Sequence, residues 1–408
     1  MNINLIKIRS VLHQNSEQLD KESSNFVEDI NNELMDEDIL LCENAKDSNF
    51  DVVLVETGGT ETLFKDMLDH LRQPVIVIST GKNNSFAASL EIKTYCAMKK
   101  VICFFLAGLA HQIAGAIGQI SRILNAYFSV KDTNLGVVGK PSDWLICYDK
   151  TNDEFKEKFN INLIDISMEE FYEEIEKKEL VDDIPHFKKL QSKYKDKESL
   201  MDALYIYSAL KRLSFKYNLK GLTVRCFDLL EKYKNTSCLA LALLNEEGIV
   251  SACEGDIPTL VTMYLLYSLT GMPSFQVNPS NIDFDSKSMI FAHCTLPLNM
   301  VSKYDLMTHF ESGLGVAIKG ELQKGKVTIC KINPNLVLED TLCIPGEIVE
   351  NLSLPGFCRT QIRVSFNQDA LFNFLDIDFG NHIVLTYADA SALLTLVHFI
   401  KDMNEKKQ

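Results

Sequence analysis

From Asp51 onward the chain repeats one pattern, a short unbroken apolar run, a glycine-bearing turn and a helix, and this repetition constrains the fold more than any other feature. Residues 52–55 run into Gly58-Gly59, residues 74–79 into Gly81, and a third run, 101–106, precedes a helical stretch over 112–128. Runs that stay apolar without alternation suit strands covered on both faces, so a doubly wound parallel sheet with helices on either side is predicted. The intervening helix, predicted over Ser85–Met98, places Ala87, Leu90, Ile92 and Ala97 toward one side at helical spacing.

The same rhythm restarts near Leu135. Residues 137–139 read as a strand end and turn, 145–148 as a short strand, and 161–166 as a strand running into the acidic helix 168–178. A polar excursion over 182–198 leads into a helix over 200–217. The apolar runs 222–227 and 238–244 follow, and then the turn Cys253-Glu254-Gly255-Asp256 opens an apolar helix over 258–269, closed by Gly271 and Pro273. Beyond residue 302 the pattern changes to short alternating strands, 315–322, 326–332, 341–349 and 361–366, with Gln323-Lys324-Gly325-Lys326 read as a hairpin turn and a closing helix over 388–402. The predicted architecture is therefore α/β: two doubly wound parallel-sheet domains, 1–132 and 133–301, followed by a C-terminal antiparallel β-rich, barrel-like domain, 302–408.

Composition narrows the function. The 408 residues exceed what one hydrophobic core usually supports. A formal net charge of −15 repels phosphate backbones and anionic headgroups, which argues against nucleic-acid and membrane partners. The most hydrophobic stretch, 101–110, falls well short of the roughly 20 residues that cross a bilayer. Eleven cysteines are scattered singly, without a CxxC, and the first ten residues lack a small-residue cleavage site; a reduced, cytoplasmic protein is expected.

Four places could carry chemistry. In Cys253-Glu254-Gly255-Asp256 two carboxylates flank a glycine between a strand and a helix, where α/β sheets bind ligands; Asp256 reads equally as the N-cap of the helix that follows. Gly380-Asn381-His382, near Tyr387 and Asp389, offers an imidazole for a divalent metal, with Asn381 beside it, or else a structural hydrogen-bonder. His293-Cys294 sits at a strand end, but successive residues of a strand point to opposite faces, so the pair is not expected to serve one site. Asp228 directly follows a strand and reads as a site acid or as a helix cap. Thr57-Gly58-Gly59-Thr60-Glu61 could cradle an anion, yet neither GxGxxG nor GxxxxGK[ST] is present, and no GxSxG elbow exists.

These motifs in order, Thr57-Gly58-Gly59-Thr60-Glu61, Asn84-Ser85-Phe86-Ala87-Ala88-Ser89-Leu90-Glu91, Val138-Gly139-Lys140-Pro141-Ser142-Asp143-Trp144, Cys253-Glu254-Gly255-Asp256, His293-Cys294, Cys358-Arg359-Thr360-Gln361 and Gly380-Asn381-His382, resemble the L-fucose isomerase family and its arabinose isomerase-like relatives. The resemblance implies three domains, a divalent cation of the Mn2+ type held by a glutamate, an aspartate and a histidine, a homo-oligomer (trimer or hexamer) and a small-molecule sugar substrate. The family aspartate matches Asp256 and its late histidine matches His382. For the glutamate, Asp228 is taken by position, with Glu231 as the alternative. Asn84, Ser85, Trp144 and Asn381 are the implied substrate contacts. Ala388 stands where the family pattern has glycine.

The implied reaction, conversion of an aldose to a ketose through an ene-diolate, uses these residue types. A cation on the substrate oxygens stabilises developing negative charge, and carboxylates, here Asp256 and Asp228, pass the proton. A sugar-binding or regulatory protein that has lost catalysis on the same scaffold is the alternative.

Overall fold

The computed structural model describes residues 1–376 and 378–405. It divides into two compact units, Met1–Phe128 with residues 402–405, and Ser129–Lys401.

The first unit is built on a parallel sheet of β1 (Asn2–Ile8), β2 (Leu40–Cys42), β3 (Asp51–Val55), β4 (Val75–Ser79) and β5 (Cys103–Leu106). Their order is β2-β1-β3-β4-β5, and every neighbouring pair is parallel. Strands β3 and β4 are buried along their whole length, which is why they read as unbroken apolar runs, while β5 lies at the edge and is half-buried. Helices α1 (Glu17–Leu34), α2 (Glu61–Met67), α3 (Ser85–Met98) and α4 (Ala110–Val130) alternate with the strands. The sequence pattern misplaced the buried face of α3: Ser85, Ala88, Ser89, Ile92 and Cys96 are buried, whereas Ala87 and Leu90 are exposed. Two serines occupy that face because their hydroxyls are satisfied locally, Ser89 donating to the Ser85 carbonyl at 2.8 Å and Ser85 lying 3.0 Å from the Ser79 hydroxyl.

The second unit opens with β6 (Asn134–Val138), β7 (Asn162–Ile166), β8 (Leu219–Val224) and β9 (Val250–Cys253), a parallel sheet ordered β7-β6-β8-β9. Around it run α5 (Asn152–Phe159), α6 (Met168–Glu176), α7 (Phe187–Lys193), α8 (Lys197–Lys216), α9 (Asp228–Tyr233), α10 (Cys238–Glu246) and α11 (Ile257–Thr270). Residues 145–148, predicted as a strand, form turns in which Ile146 is exposed. The apolar run 238–244 is helix; every residue from 238 to 245 is buried, and burial on all sides erases the helical period.

The same unit continues with β10 (Ser274–Asp283), β11 (Ser288–His293), β12 (Val301–Met307), β13 (Ala317–Leu322), β14 (Gly325–Lys331), β15 (Leu342–Asn351), β16 (Thr360–Ser365), α12 (Gln368–Asp376), β17 (Ile383–Thr386) and α13 (Ala392–Glu405). Six strands close the expected antiparallel barrel in the order β10-β11-β16-β15-β14-β17, two of them preceding residue 302. Residues 323–326 do not make the predicted hairpin, because β13 pairs with β12 in a separate ribbon and β14 enters the barrel. One hydrophobic core joins sheet, helices and barrel: Leu222 and Val224, Leu204 and Leu241, and Phe275, Phe291, Ile329 and Ile362 all belong to it.

Candidate active site

Strand β9 ends at Cys253, and the chain then takes two consecutive left-handed residues, Glu254 (φ 66°) and Gly255 (φ 72°). A Cβ on Gly255 would lie 2.6 Å from the Lys140 carbonyl and 2.8 Å from the Pro141 Cα, so glycine is required for close approach as well as for its φ. The turn exposes both flanking carboxylates to the barrel. Asp256 caps α11, its Oδ1 accepting from the Thr259 N–H at 2.7 Å, and Oδ2 lies 2.9 Å from Nδ1 of His382. Nζ of Lys331, at the end of β14 and 1% exposed, is 3.3 Å from each Asp256 oxygen and also bonds the Thr259 hydroxyl. The capping role and a site role for Asp256 thus coexist.

Fully buried, His382 precedes β17. Its Nε2 faces Glu254 Oε1 at 3.5 Å, too far for a good hydrogen bond, and has no hydrogen-bond partner. The other Glu254 oxygen accepts from Nε1 of Trp144 at 2.6 Å. Trp144 stands on the loop after β6, edge-on to Phe227 with ring centres 4.8 Å apart. His293, the last residue of β11, presents its ring 5.7 Å from that of His382, with Nδ1 3.1 Å from the Thr295 hydroxyl. Among the described residues, Glu254, His293 and His382 form the one group of potential metal ligands whose donor atoms all lie within 4.8 Å of one another. Two imidazoles and a carboxylate suit a borderline divalent cation, and a buried imidazole nitrogen without a partner is what such an ion would satisfy. Asp256 on the far nitrogen of His382 holds the ring in the tautomer that leaves Nε2 as the donor.

The electrostatics are strongly graded. Burial alone would raise the Asp256 carboxyl, but Lys331, His382 and the Thr259 N–H outweigh it and hold Asp256 well below the usual carboxylate range. Glu254 follows the same logic: burial raises it, His382, then His293 and Trp144 pull it down, and it ends below its ordinary value. Burial opposes the His382 cation, yet the two carboxylates raise it to about 9. His293, with burial and His382 both acting against its cation, falls to about 4. Two neighbouring imidazoles are thereby driven in opposite directions.

Of the residues expected from sequence, the structure brings Asp256, His382 and Trp144 together with Glu254. Asp228 lies outside the three-residue group: its oxygens are 3.0 and 3.2 Å from Nε of Arg225, which also bridges to Asp143 and the Pro141 carbonyl. Glu231 is exposed on α9. Asn381 is exposed beside a small pocket that Asp256 and Lys331 also line. Asn84 and Ser85 belong to the first unit, where Asn84 is left-handed (φ 59°) before α3 and Ser85 is buried within 2.9 Å of the Thr80 hydroxyl. Sequence reasoning weighed His293 as half of a His-Cys pair without placing it at the cation, and passed over Lys331. The alternation argument against the His293-Cys294 pair lapses because β11 stops at His293, and Cys294 lines the same cavity of about 40 Å3 as His293 and Glu254.

No family model matches the chain. It is similar to proteins named sulfoquinovose isomerase: that of Priestia megaterium, 21% identical over 379 residues, covering 86% of this chain and 83% of the relative; that of Alkalicoccus urumqiensis, 22% over 297 residues, 67% and 65%; and that of a Clostridium species, 36% over 159 residues, 37% and 35%. The chain thus spans just under two thirds of the Alkalicoccus relative's length. By name these relatives are sugar isomerases, the class of activity that the motif series implies.

Proposed function

We propose that this chain is a metal-assisted aldose–ketose isomerase acting on a free sugar, with Glu254, His293 and His382 holding a divalent cation such as Mn2+. The observation that carries the reading is the orphaned, fully buried Nε2 of His382, oriented by Asp256 toward a carboxylate. When bound, a divalent cation supplies electrostatic stabilisation of the negative charge that develops on the sugar oxygens. The chain's own residues do the rest. Glu254 takes the proton from carbon 2 and returns it to carbon 1, while the proton of the carbon-2 hydroxyl passes to the neighbouring carbon-1 oxygen; one base on one face suffices because the ene-diolate is planar. The Trp144 N–H on Oε2 fixes the orientation of the Glu254 carboxylate. Asp256 is a positioning residue that holds the His382 proton on Nδ1, and Lys331 keeps Asp256 ionised.

The cavity of about 40 Å3 admits an ion and a few small groups, and the residue that bonds Glu254 from outside its lining, Trp144, is 48% exposed, so the rest of the sugar is assigned to that side. A sulfoquinovose-type sugar is the first substrate to test, on the names of the relatives, followed by fucose- and arabinose-like aldoses on the motif series. The trimer or hexamer implied by those motifs, and the cytoplasm, belong to the same proposal. The test is metal analysis followed by an aldose panel with Mn2+, run beside Glu254→Gln. Turnover that is abolished in the variant while Mn2+-free folding is unchanged supports the reading; a metal-loaded wild type that isomerises no aldose refutes it and favours a binding protein on this scaffold.

A further inference from the structure

Five of the eleven cysteines, Cys226, Cys238, Cys253, Cys294 and Cys358, line the cavity that Glu254 and His293 also line. None is in a disulfide. Cys294 makes side-chain contacts with Cys238 and Cys358, and on the other side of the cavity the sulfurs of Cys226 and Cys253, both buried, are 3.2 Å apart at the end of the strand that leads into Glu254. Val224 faces Cys253 across the β8–β9 ladder and Cys226 follows two residues later, so a bond between these sulfurs would tie the C-terminal ends of adjacent parallel strands. With a disulfide at about 2.05 Å, the sulfurs would need to approach by only about 1.2 Å. On the Cys253 side the chain leads directly into Glu254, a residue in the left-handed region whose carboxylate is held by Trp144 at 2.6 Å.

We propose that Cys226 and Cys253 form a modification site, a peroxide-oxidised disulfide that displaces Glu254 and reversibly switches off the site beside it. The step balances with hydrogen peroxide as oxidant. One thiol sulfur attacks the peroxide, the O–O bond breaks, an S–O bond forms and water leaves. The second thiol sulfur attacks that sulfur, the S–S bond forms, the S–O bond breaks and a second water leaves; two thiols are oxidised and one peroxide is reduced. Space for the oxidant is provided by the cavity, which both sulfurs line and which is large enough for a small molecule of this kind.

The disulfide stands independently of the isomerase reading; its effect on turnover rests on it. The full-length protein, stripped of metal with a chelator, is treated with hydrogen peroxide, and the digest is mapped by mass spectrometry without reduction. A Cys226–Cys253 cross-linked peptide is expected, released by dithiothreitol and absent in Cys226→Ser. Trp144 is the sole tryptophan and bonds Glu254 directly, so its emission reports the displacement without any substrate. The expected result is an emission change that appears with the cross-link, reverses with dithiothreitol and does not occur in Cys226→Ser, together with an isomerase rate at least tenfold lower in the oxidised form. Cross-linking of any other pair, oxidation without cross-linking, or a complete Cys226–Cys253 cross-link with unchanged Trp144 emission would each overturn the proposal. Absence of turnover before oxidation would count against the isomerase reading alone, because the cross-link and the emission are still read.

Discussion

Replacing Asp256 by asparagine isolates what the carboxylate charge contributes, because the change keeps volume and shape. Asparagine is as good an N-cap as aspartate, so the bond to the Thr259 N–H survives and α11 loses at most a few tenths of a kcal/mol. What disappears is the negative partner of Lys331, an ammonium 1% exposed whose ion-pair partner is Asp256. Breaking a buried pair from one side costs roughly 3–5 kcal/mol. Burial already pushes Lys331 below its ordinary value against the pull of Asp256, so without the carboxylate it sheds its proton and keeps the loss near the lower end, about 3 kcal/mol. For a unit of this size each kcal/mol moves Tm by roughly 2–4 °C, giving a fall of about 6–12 °C. Lys331→Met should recover most of it when added to Asp256→Asn, since the pair is then replaced rather than broken, and the cycle should show a coupling of about 2 kcal/mol. Thermal unfolding of the four proteins, followed by circular dichroism at fixed protein concentration, decides it. An Asp256→Asn protein melting within about 2 °C of wild type, or a double variant showing the plain sum of the singles, would refute the assignment of Lys331 and Asp256 as a mutually dependent buried pair.

Other outcomes follow from the same geometry. Asparagine at His382 or at His293, or glutamine at Glu254, should each weaken Mn2+ binding in calorimetry by at least tenfold, whereas Asp228→Asn should leave it within twofold. Trp144→Phe removes the N–H at 2.6 Å and should lower kcat about tenfold with KM little changed, read in steady-state assays with the identified sugar. His293 titrates at about 4 in the fold against an ordinary 6.5, so the unfolded chain takes up its proton first; its contribution is present above pH 6.5 and is lost as pH falls from 6.5 through 4. His382 has the opposite sign: raised to about 9, its contribution is complete below 6.5 and fades as pH rises through 9. Urea midpoints between pH 7 and 4.5 should therefore drop less steeply for His293→Gln than for wild type. Gly255→Ala should yield little soluble protein, because the added methyl meets the Lys140 carbonyl at 2.6 Å in a left-handed turn.

The first parallel sheet was legible from Asp51 onward because β3 and β4 are short, apolar and followed by glycine, as strands buried on two faces are, whereas β1 and β2, with residues of intermediate or full exposure along them, were not anticipated. Elements whose burial is uniform were not legible: α10 is apolar all round and carries no period that would tell helix from strand. Of the site, the acid turn was visible as two carboxylates around a glycine, and His382 as a histidine after a glycine–asparagine pair. His293 was visible only as half of a strand-end His-Cys pair, and Lys331 gave no signal. Nothing in a sequence marks a lysine at the end of an alternating strand as the buried partner of an aspartate 75 residues earlier. Asp228 was favoured because a carboxylate follows β8, but the arginine three residues before it claims that carboxylate first.

The distance in sequence between the two histidines is resolved by one long strand. β10 pairs with β17 through its first half and with β11 through its second, Val277 opposite Ile383 and Asn278 opposite Ala292. His382 comes one residue before Ile383 and His293 one residue after Ala292, so both reach the middle of β10 from opposite sides. Gln276 on the same strand accepts a hydrogen bond from the Cys253 N–H at 2.7 Å, fixing the end of β9 against that point. Glu254 therefore meets the histidines wherever this register holds. A slip of one residue in either pairing would turn the ring of a histidine to the other face of the barrel wall, since side chains alternate. The site is thus specified by strand register and one side chain–backbone bond, both embedded in a core that sheet and barrel share. It follows that the triad forms only when that whole unit folds, and that substitutions at Gln276, remote from any substrate, should weaken metal binding through the position of Glu254 alone.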